Sequence, residues 1–354
     1  MSPMLEILIA QTARSDLLSI AAELSVMEKQ VIAARLPAFA RKARSFAGHW
    51  DFAAPSHAID RLLVEVSPHR DPRGTAAFDR LRRAIVAQLV LDHFEVEDNL
   101  PSSVIGLYPE FFDRLIRFLS TKANYCYPQE YYEKDVRYAL GLTVPCGAHQ
   151  LDLRNRVGPK LVLRDVLASG SLSSAVAYVM CRGWGRWYAN HLDLRAMKEF
   201  KPRGWTDSFV RMADALKLNP DVRGVAGVSW FHDPAVAGVS PHLGYILTPT
   251  LYGGFLANMG SAPHHVANAT VRSSVRTKMH QEGKYTPTCY LLAWPRKALI
   301  AWAELVKSDP SAGFRDLRLG AQPSSPWPTP RTVAERERVD HPAASDSRGL
   351  LPNR

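Results

Sequence analysis

The segment Asp221 to Tyr245, DVRGVAGVSWFHDPAVAGVSPHLGY, places a histidine and an aspartate directly after a glycine- and valine-rich apolar run. Such a run reads as a buried strand, and its end delivers polar side chains to an open edge. His232 could there take a proton from an attacking amine or hydroxyl. Asp233 cannot share its face while the strand continues, because side chains alternate. Pro234 implies a turn that could bring the two together. The competing structural reading makes Asp233-Pro234 a cap and His232 a packing residue.

Other chemistry-bearing residues are more scattered. Cys146 and His149 have Cys-x-x-His spacing, but no second pair completes a zinc site, so no metal is expected. His264 and His265 are adjacent, hence about 100° apart on a helix, and His280 lies too far along to join them. His191 and Asp193 are two apart and would share a face if both lie on one strand. The string Arg182 to Tyr188 sets two arginines among three aromatics, either a stacking or phosphate contact or an anchored turn. Tyr125, Tyr127, Tyr131, Tyr132 and Tyr138 would line a groove or pack two regions together. Gly-x-Ser-x-Gly, phosphate-loop and His-Glu-x-x-His motifs are absent, which speaks against serine hydrolase, P-loop and zincin chemistry.

The elements that must position these residues change character along the chain. Helical spacing marks Ser15 to Ser45, with Pro37 expected to end or kink it. It also marks Asp60 to Val66, Thr75 to Phe94, Pro109 to Leu119 and Pro128 to Leu140, the last stopped by Gly141. Thr143 to Leu153 reads as extended or hairpin. Ser174 to Cys181 and Arg186 to Leu194 read as strands around a Gly183-Trp184-Gly185 turn. Trp205 to Leu218 reads as a helix that Thr206 could cap, followed by a buried strand from Val222 to Phe231. Gly254 to Met259 and Thr288 to Trp294 read as strands, and Pro263 to Glu282 and Pro295 to Val306 as helices.

This predicts an α/β (α+β) protein: a helical region over 1–142, a mixed sheet flanked by helices over 143–307, and a disordered tail over 308–354. The tail holds seven prolines between Pro310 and Pro352 and few apolar residues. Within the sheet, Val225, Val228 and Trp230 are expected to be buried.

Composition bounds the rest. The 354 residues are 46% hydrophobic and 22% charged, with no apolar run long enough to cross a membrane. The start of the chain makes a poor signal peptide, so the expected location is cytoplasmic. Four scattered cysteines suit buried thiols. A net charge of +10 favours anionic partners, but the basic residues are spread out, and nucleic acid is not expected.

From Ser174 to Val306 the order of elements resembles the acyl-CoA-dependent acetyltransferase fold, the GCN5-related family. The resemblance implies a strand leading into a helix whose N-terminal N–H groups hold the pyrophosphate of coenzyme A. The equivalent turn is Met259-Gly260-Ser261-Ala262, ahead of the Pro263 helix. Only Gly260 and Ser261 there suit a phosphate, and the family's glutamine/arginine and glycine signature is missing. A helix N-terminus suits an anion on physical grounds as well. The expectation is an acyltransferase using an acyl thioester such as acyl-CoA, with His232 and Asp233 catalytic and Gly260 and Ser261 on the cofactor. The alternative is a non-catalytic binding or regulatory protein that engages an anionic partner through its basic surface.

Overall fold

The computed structural model describes residues 11–45, 52–66, 76–96, 98–120 and 127–310. The helical half comprises α1 (Gln11–Ala22), α2 (Val26–Ser45), α3 (Ala54–Val66), α4 (Ala76–His93), α5 (Ser102–Ile105), α6 (Tyr108–Leu119) and α7 (Gln129–Ala139). The break between α1 and α2 is a capping box. Ser25 N–H donates to Glu28 Oε2 at 2.7 Å, and Glu28 N–H donates to Ser25 Oγ at 3.3 Å. Pro37 lies inside α2 and does not end it.

Gly141 ends the last turn as expected, with φ +69°. It also sits against another strand of chain: a Cβ there would lie 1.8 Å from the Glu95 carbonyl oxygen. Gly141→Ala therefore combines a left-handed backbone with a backbone clash, and should cost at least ~2 kcal/mol. Gly170 has φ +68° and nothing within 4 Å of a Cβ, so Gly170→Ala should cost only about 1 kcal/mol. Urea midpoints of the two variants check the contrast.

Six strands follow: β1 (Thr143–Pro145), β2 (His149–Asn155), β3 (Arg186–Leu192), β4 (Val222–Ser229), β5 (Phe255–Gly260) and β6 (Cys289–Pro295). They form one mixed sheet in the order β1-β2-β3-β4-β6-β5. Only β3 and β4 run parallel; every other neighbouring pair is antiparallel. A parallel pair needs a crossover, and α10 (Pro202–Leu218) supplies it. Helices α8 (Pro159–Ser169) and α9 (Ser173–Met180) join β2 to β3. The short α11 (Val236–Val239) and α12 (Thr248–Leu251) lie between β4 and β5, and α13 (Pro263–Thr270) and α14 (Ser274–Gln281) between β5 and β6. Helix α15 (Arg296–Ser308) closes the described chain. The expected α/β architecture, helices first and then a helix-flanked mixed sheet, is the one observed. The tail expected over 308–354 lies outside the described residues from 311 onward.

One hydrophobic cluster runs from α1 through α7 into one face of the sheet and onto α10 and α15. Its sheet end is an aromatic box. Trp205 packs on Phe209 with centroids 4.3 Å apart, and Trp294 packs on Trp302 at 4.8 Å. A smaller cluster covers the opposite face, where Val162 of α8 and Tyr178 of α9 meet Trp187, Phe255 and Leu291.

Four local expectations need correction. Ser174 to Cys181 is helical, as α9, not a strand. Its run SSAVAYVM is short and apolar, and such runs do not separate strand from helix by periodicity. Thr206 lies within α10 rather than capping it, since the helix starts four residues earlier at Pro202, and Lys201 is the cap residue. The segment Pro263 to Glu282 is two helices, because Ser273 starts a new one by accepting from the Arg276 N–H at 3.3 Å. Val225 and Trp230 are buried, but Val228 is 38% exposed. Trp230 is not on the strand at all; it opens a 3₁₀ turn over Trp230–His232.

Candidate active site at the parting of β3 and β4

The ladder between β3 and β4 ends at Ala189↔Ala226. Each strand nevertheless runs three residues further. His191 and Leu192 stay paired with Gln150 and His149 of β2, while Val228 and Ser229 stay paired with Leu291 and Tyr290 of β6. The sheet thus divides at its middle, at the carboxyl ends of its only parallel pair. Open α/β sheets place ligands outside strand carboxyl ends where the chain direction reorganises.

Histidines line both sides of it. His149 begins β2, 4% exposed, with its ring 5.6 Å from Phe209 and 5.9 Å from Phe200. Its Nδ1 has no hydrogen-bond partner. Burial drives its pKa down to about 3, with the fields of His232 and His191 acting the same way. His191 packs against Phe52 with ring centroids 4.5 Å apart and planes tilted by 52°. Its Nε2 stands 3.9 Å from Asp152 Oδ2, beyond hydrogen-bond reach. Burial lowers its pKa, and Asp152 opposes that shift.

His232 closes the 3₁₀ turn after β4 and is 6% exposed. Its Nδ1 lies 3.2 Å from the Tyr290 carbonyl oxygen. Burial lowers its pKa to about 4, partly offset by the Tyr290 and Gly227 carbonyls. Two carbonyls are both acceptors, and a neutral imidazole has one N–H to give. Both carbonyls thus favour the protonated ring, but burial outweighs them, and the ring is neutral near pH 7 and held against β4 and β6.

Asp233 is engaged with backbone N–H groups. Its Oδ1 accepts from the Ala235 N–H at 2.9 Å and its Oδ2 from the Thr288 N–H at 3.1 Å. Those bonds fix the turn that swings the chain off β4, an Asx-type role. Gly260 ends β5 with φ +80°, and its N–H donates to Asn258 Oδ1 at 2.7 Å. The exposed Arg164 guanidinium stands beside it, 3.1 Å from where a Cβ would lie. Ser261 donates its hydroxyl to the Pro287 carbonyl at 2.6 Å. Ser229, Tyr290 and Asn258 lie in register across β4, β6 and β5. His232 and Gly260, each a few residues past this row, therefore lie at the same end of the sheet.

A buried polar network backs the site from the helical half. Arg137 of α7 is fully buried, ion-paired with Asp152 of β2, and lies 4.7 Å from the Phe52 ring centroid. Arg195 pairs with Asp135 at 2.8 Å and with Asp193 at 3.3 Å. Tyr127 donates to Asp135 at 2.8 Å. Asp193 follows β3 and caps the next 3₁₀ turn, so it does not share a strand face with His191 as the two-residue spacing suggested.

The remaining motifs have structural work. Cys146 and His149 flank the β1–β2 turn, where Cys146 N–H bonds the His149 carbonyl at 2.8 Å, and burial raises the Cys146 thiol to about 12. Arg186 is held by Asp98 at 2.8 Å and Asp221 at 2.9 Å, so protein carboxylates already occupy it. Tyr127, Tyr132 and Tyr138 are buried packing residues, and Tyr125 lies outside the described residues.

No family model matches this sequence, and no curated protein matches it. Among solved structures it is similar to the crystal structure of an acyltransferase in complex with CoA and 10C-Teicoplanin. The identity is 12% over 76% of this chain and 99% of that one, with a TM-score of 0.35. A likeness at that level carries no argument about this chain's chemistry.

Proposed function

We propose that this protein is an acyltransferase that takes its acyl group from a coenzyme A-type thioester bound where β3 and β4 part. The observation that supports the reading is the parting itself. Past Ala189 and Ala226 the two strands have no ladder between them. An extended, amide-bearing chain can pair with strand edges of this kind as an added strand does. The pantetheine arm of coenzyme A is such a chain.

In this reading the acceptor's amine or hydroxyl attacks the thioester carbonyl and the carbon–sulfur bond breaks. The acceptor's proton passes to neutral His232, and the imidazolium returns it to the departing sulfur, so coenzyme A leaves as the thiol. Asp233 holds the turn that carries His232. Gly260 and Ser261, with Arg164 beside them and the N-terminus of α13 following, receive the phosphates.

Calorimetric titration with coenzyme A tests the binding half. Wild-type protein should bind. Gly260→Asp, which sets a carboxylate beside Arg164, should weaken binding about tenfold or more through charge at a helix start. His232→Ala should keep binding and slow thiol release about 10²-fold. That is the lower end for a general base, because a pKa near 4 makes a weak one. Absence of heat at millimolar coenzyme A would sink the proposal in favour of the non-catalytic binding protein.

A further inference from the structure

Helices α8 and α9 show apolar side chains on both of their sides. Inward, Val162 and Tyr178 cover the sheet. Outward, Leu163, Leu167, Val179 and Met180 are 57%, 78%, 59% and 80% exposed, and Leu172 and Trp184, on the segments flanking α9, are 66% and 58% exposed. Helix α9, SSAVAYVM, has no charged residue at all. A surface helix of a globular protein ordinarily turns a polar face to water. Isolated exposed apolar residues are unremarkable, but a cluster on two packed helices marks an interaction surface.

Charge identifies the occupant. From Arg156 to Arg182 the exposed ionisable side chains are Arg156, Lys160, Arg164 and Arg182, all cationic. The one acid in that stretch, Asp165, is 5% exposed. It is spent on the Asn258 N–H at 2.6 Å and on the Ser174 hydroxyl. A second copy docked face to face would set these cations against the same cations, as a two-fold interface requires, and like charges there are costly. An anionic surface meets them all favourably. Separate aliphatic side chains with a tryptophan beside them and cations around them match the boundary between lipid headgroups and acyl chains.

We infer that the outer face of α8 and α9 is a peripheral membrane-docking surface selective for anionic lipid. No helix among the described residues is long and apolar enough to cross a membrane, so docking would be interfacial. Without Arg164, which the acyl-transfer reading also uses, the inference still rests on the apolar face and on Arg156, Lys160 and Arg182, and its test needs no substrate.

The experiment is co-sedimentation of the full chain with vesicles of phosphatidylcholine alone or mixed with phosphatidylglycerol. Binding should be strong to the mixed vesicles, weak to the neutral ones, and should fall as salt is raised. Leu167→Glu with Met180→Glu should lower the partition coefficient about tenfold or more, since a charged side chain resists transfer to the lipid interior. Arg156→Glu with Lys160→Glu should do the same by reversing two surface charges. All four residues are exposed, so melting temperatures should stay near wild type. Gel filtration of the same variants reports any self-association. Failure to bind mixed vesicles overturns the inference. So does binding that both double variants leave unchanged, or a dimer that Leu167→Glu with Met180→Glu dissolves.

Discussion

Lowering the pH from about 6.5 to about 4 should destabilise this fold by on the order of 3 kcal/mol through each of His149 and His232. Both histidines are held neutral by burial, with pKa values of about 3 and about 4 against an ordinary 6.5. A folded pKa below the unfolded one means that the folded chain binds fewer protons. As pH falls through 6.5 the unfolded chain protonates first, and stability is lost until the folded pKa is reached. Below that point the loss stops. Urea unfolding midpoints at a series of pH values report the effect. Carboxylates also titrate in this range, so the comparison is with His149→Gln and His232→Gln. Each should flatten the wild-type slope between pH 6.5 and 5. Equal slopes would mean that these rings are not buried uncharged.

Asp152→Ala should cost about 3–5 kcal/mol, the range for removing one partner of a buried ion pair. Its carboxylate pairs with Arg137, whose side chain is fully buried, and also accepts the Arg154 N–H at 3.1 Å. Without Asp152 the guanidinium keeps its charge, because arginine does not deprotonate in proteins. Arg137 Nε and Nη1 already lack hydrogen-bond partners, so little remains to hold that charge. The discriminating variant is the double replacement Arg137→Met with Asp152→Leu. It removes both charges and should be less destabilised than Asp152→Ala alone. Denaturant midpoints with equal slopes decide it. A larger loss in the double variant would assign the stability to packing rather than to the pair.

The helical half was legible in the sequence because its apolar residues recur at helical spacing and its ends carry strong signals. Pro109 and Gly141 fall at helix boundaries in the structure. Strands β3, β4 and β5 were legible from glycine-flanked runs, and β6 from an apolar run set between Pro287 and Pro295. Helix α9 was not, since β-branched and aromatic residues in an eight-residue run suit a strand equally. Helix α8 went unnoticed because its outward side chains include Leu163 and Leu167, which blur the polar face that would have marked it. His232 was found from the end of an apolar run. Local spacing shows His149 only as half of a metal pair and His191 only as part of a strand face. Their meeting with His232 depends on β2, β3 and β4 lying side by side, a long-range pairing that no local spacing encodes. The same holds for Arg137 and Asp152, separated by a helix end and a hairpin.

The division of β3 from β4 gives the sheet two edges in its interior, besides the two at its rims. Free edges invite pairing with other chains, and proteins guard them. Here the guard is local. The Asn190 side chain lies so close over Gly227 that a Cβ there would be 2.1 Å from its Oδ1. The closed ladder at Ala189↔Ala226 stops any strand that enters from sliding further in. A foreign strand can reach only the few residues beyond. The inner edges should therefore stay monomer-safe yet reactive to solvent, with the amides of 191–192 and 228–229 that face the opening exchanging with deuterium far faster than those at 188–189 and 225–226.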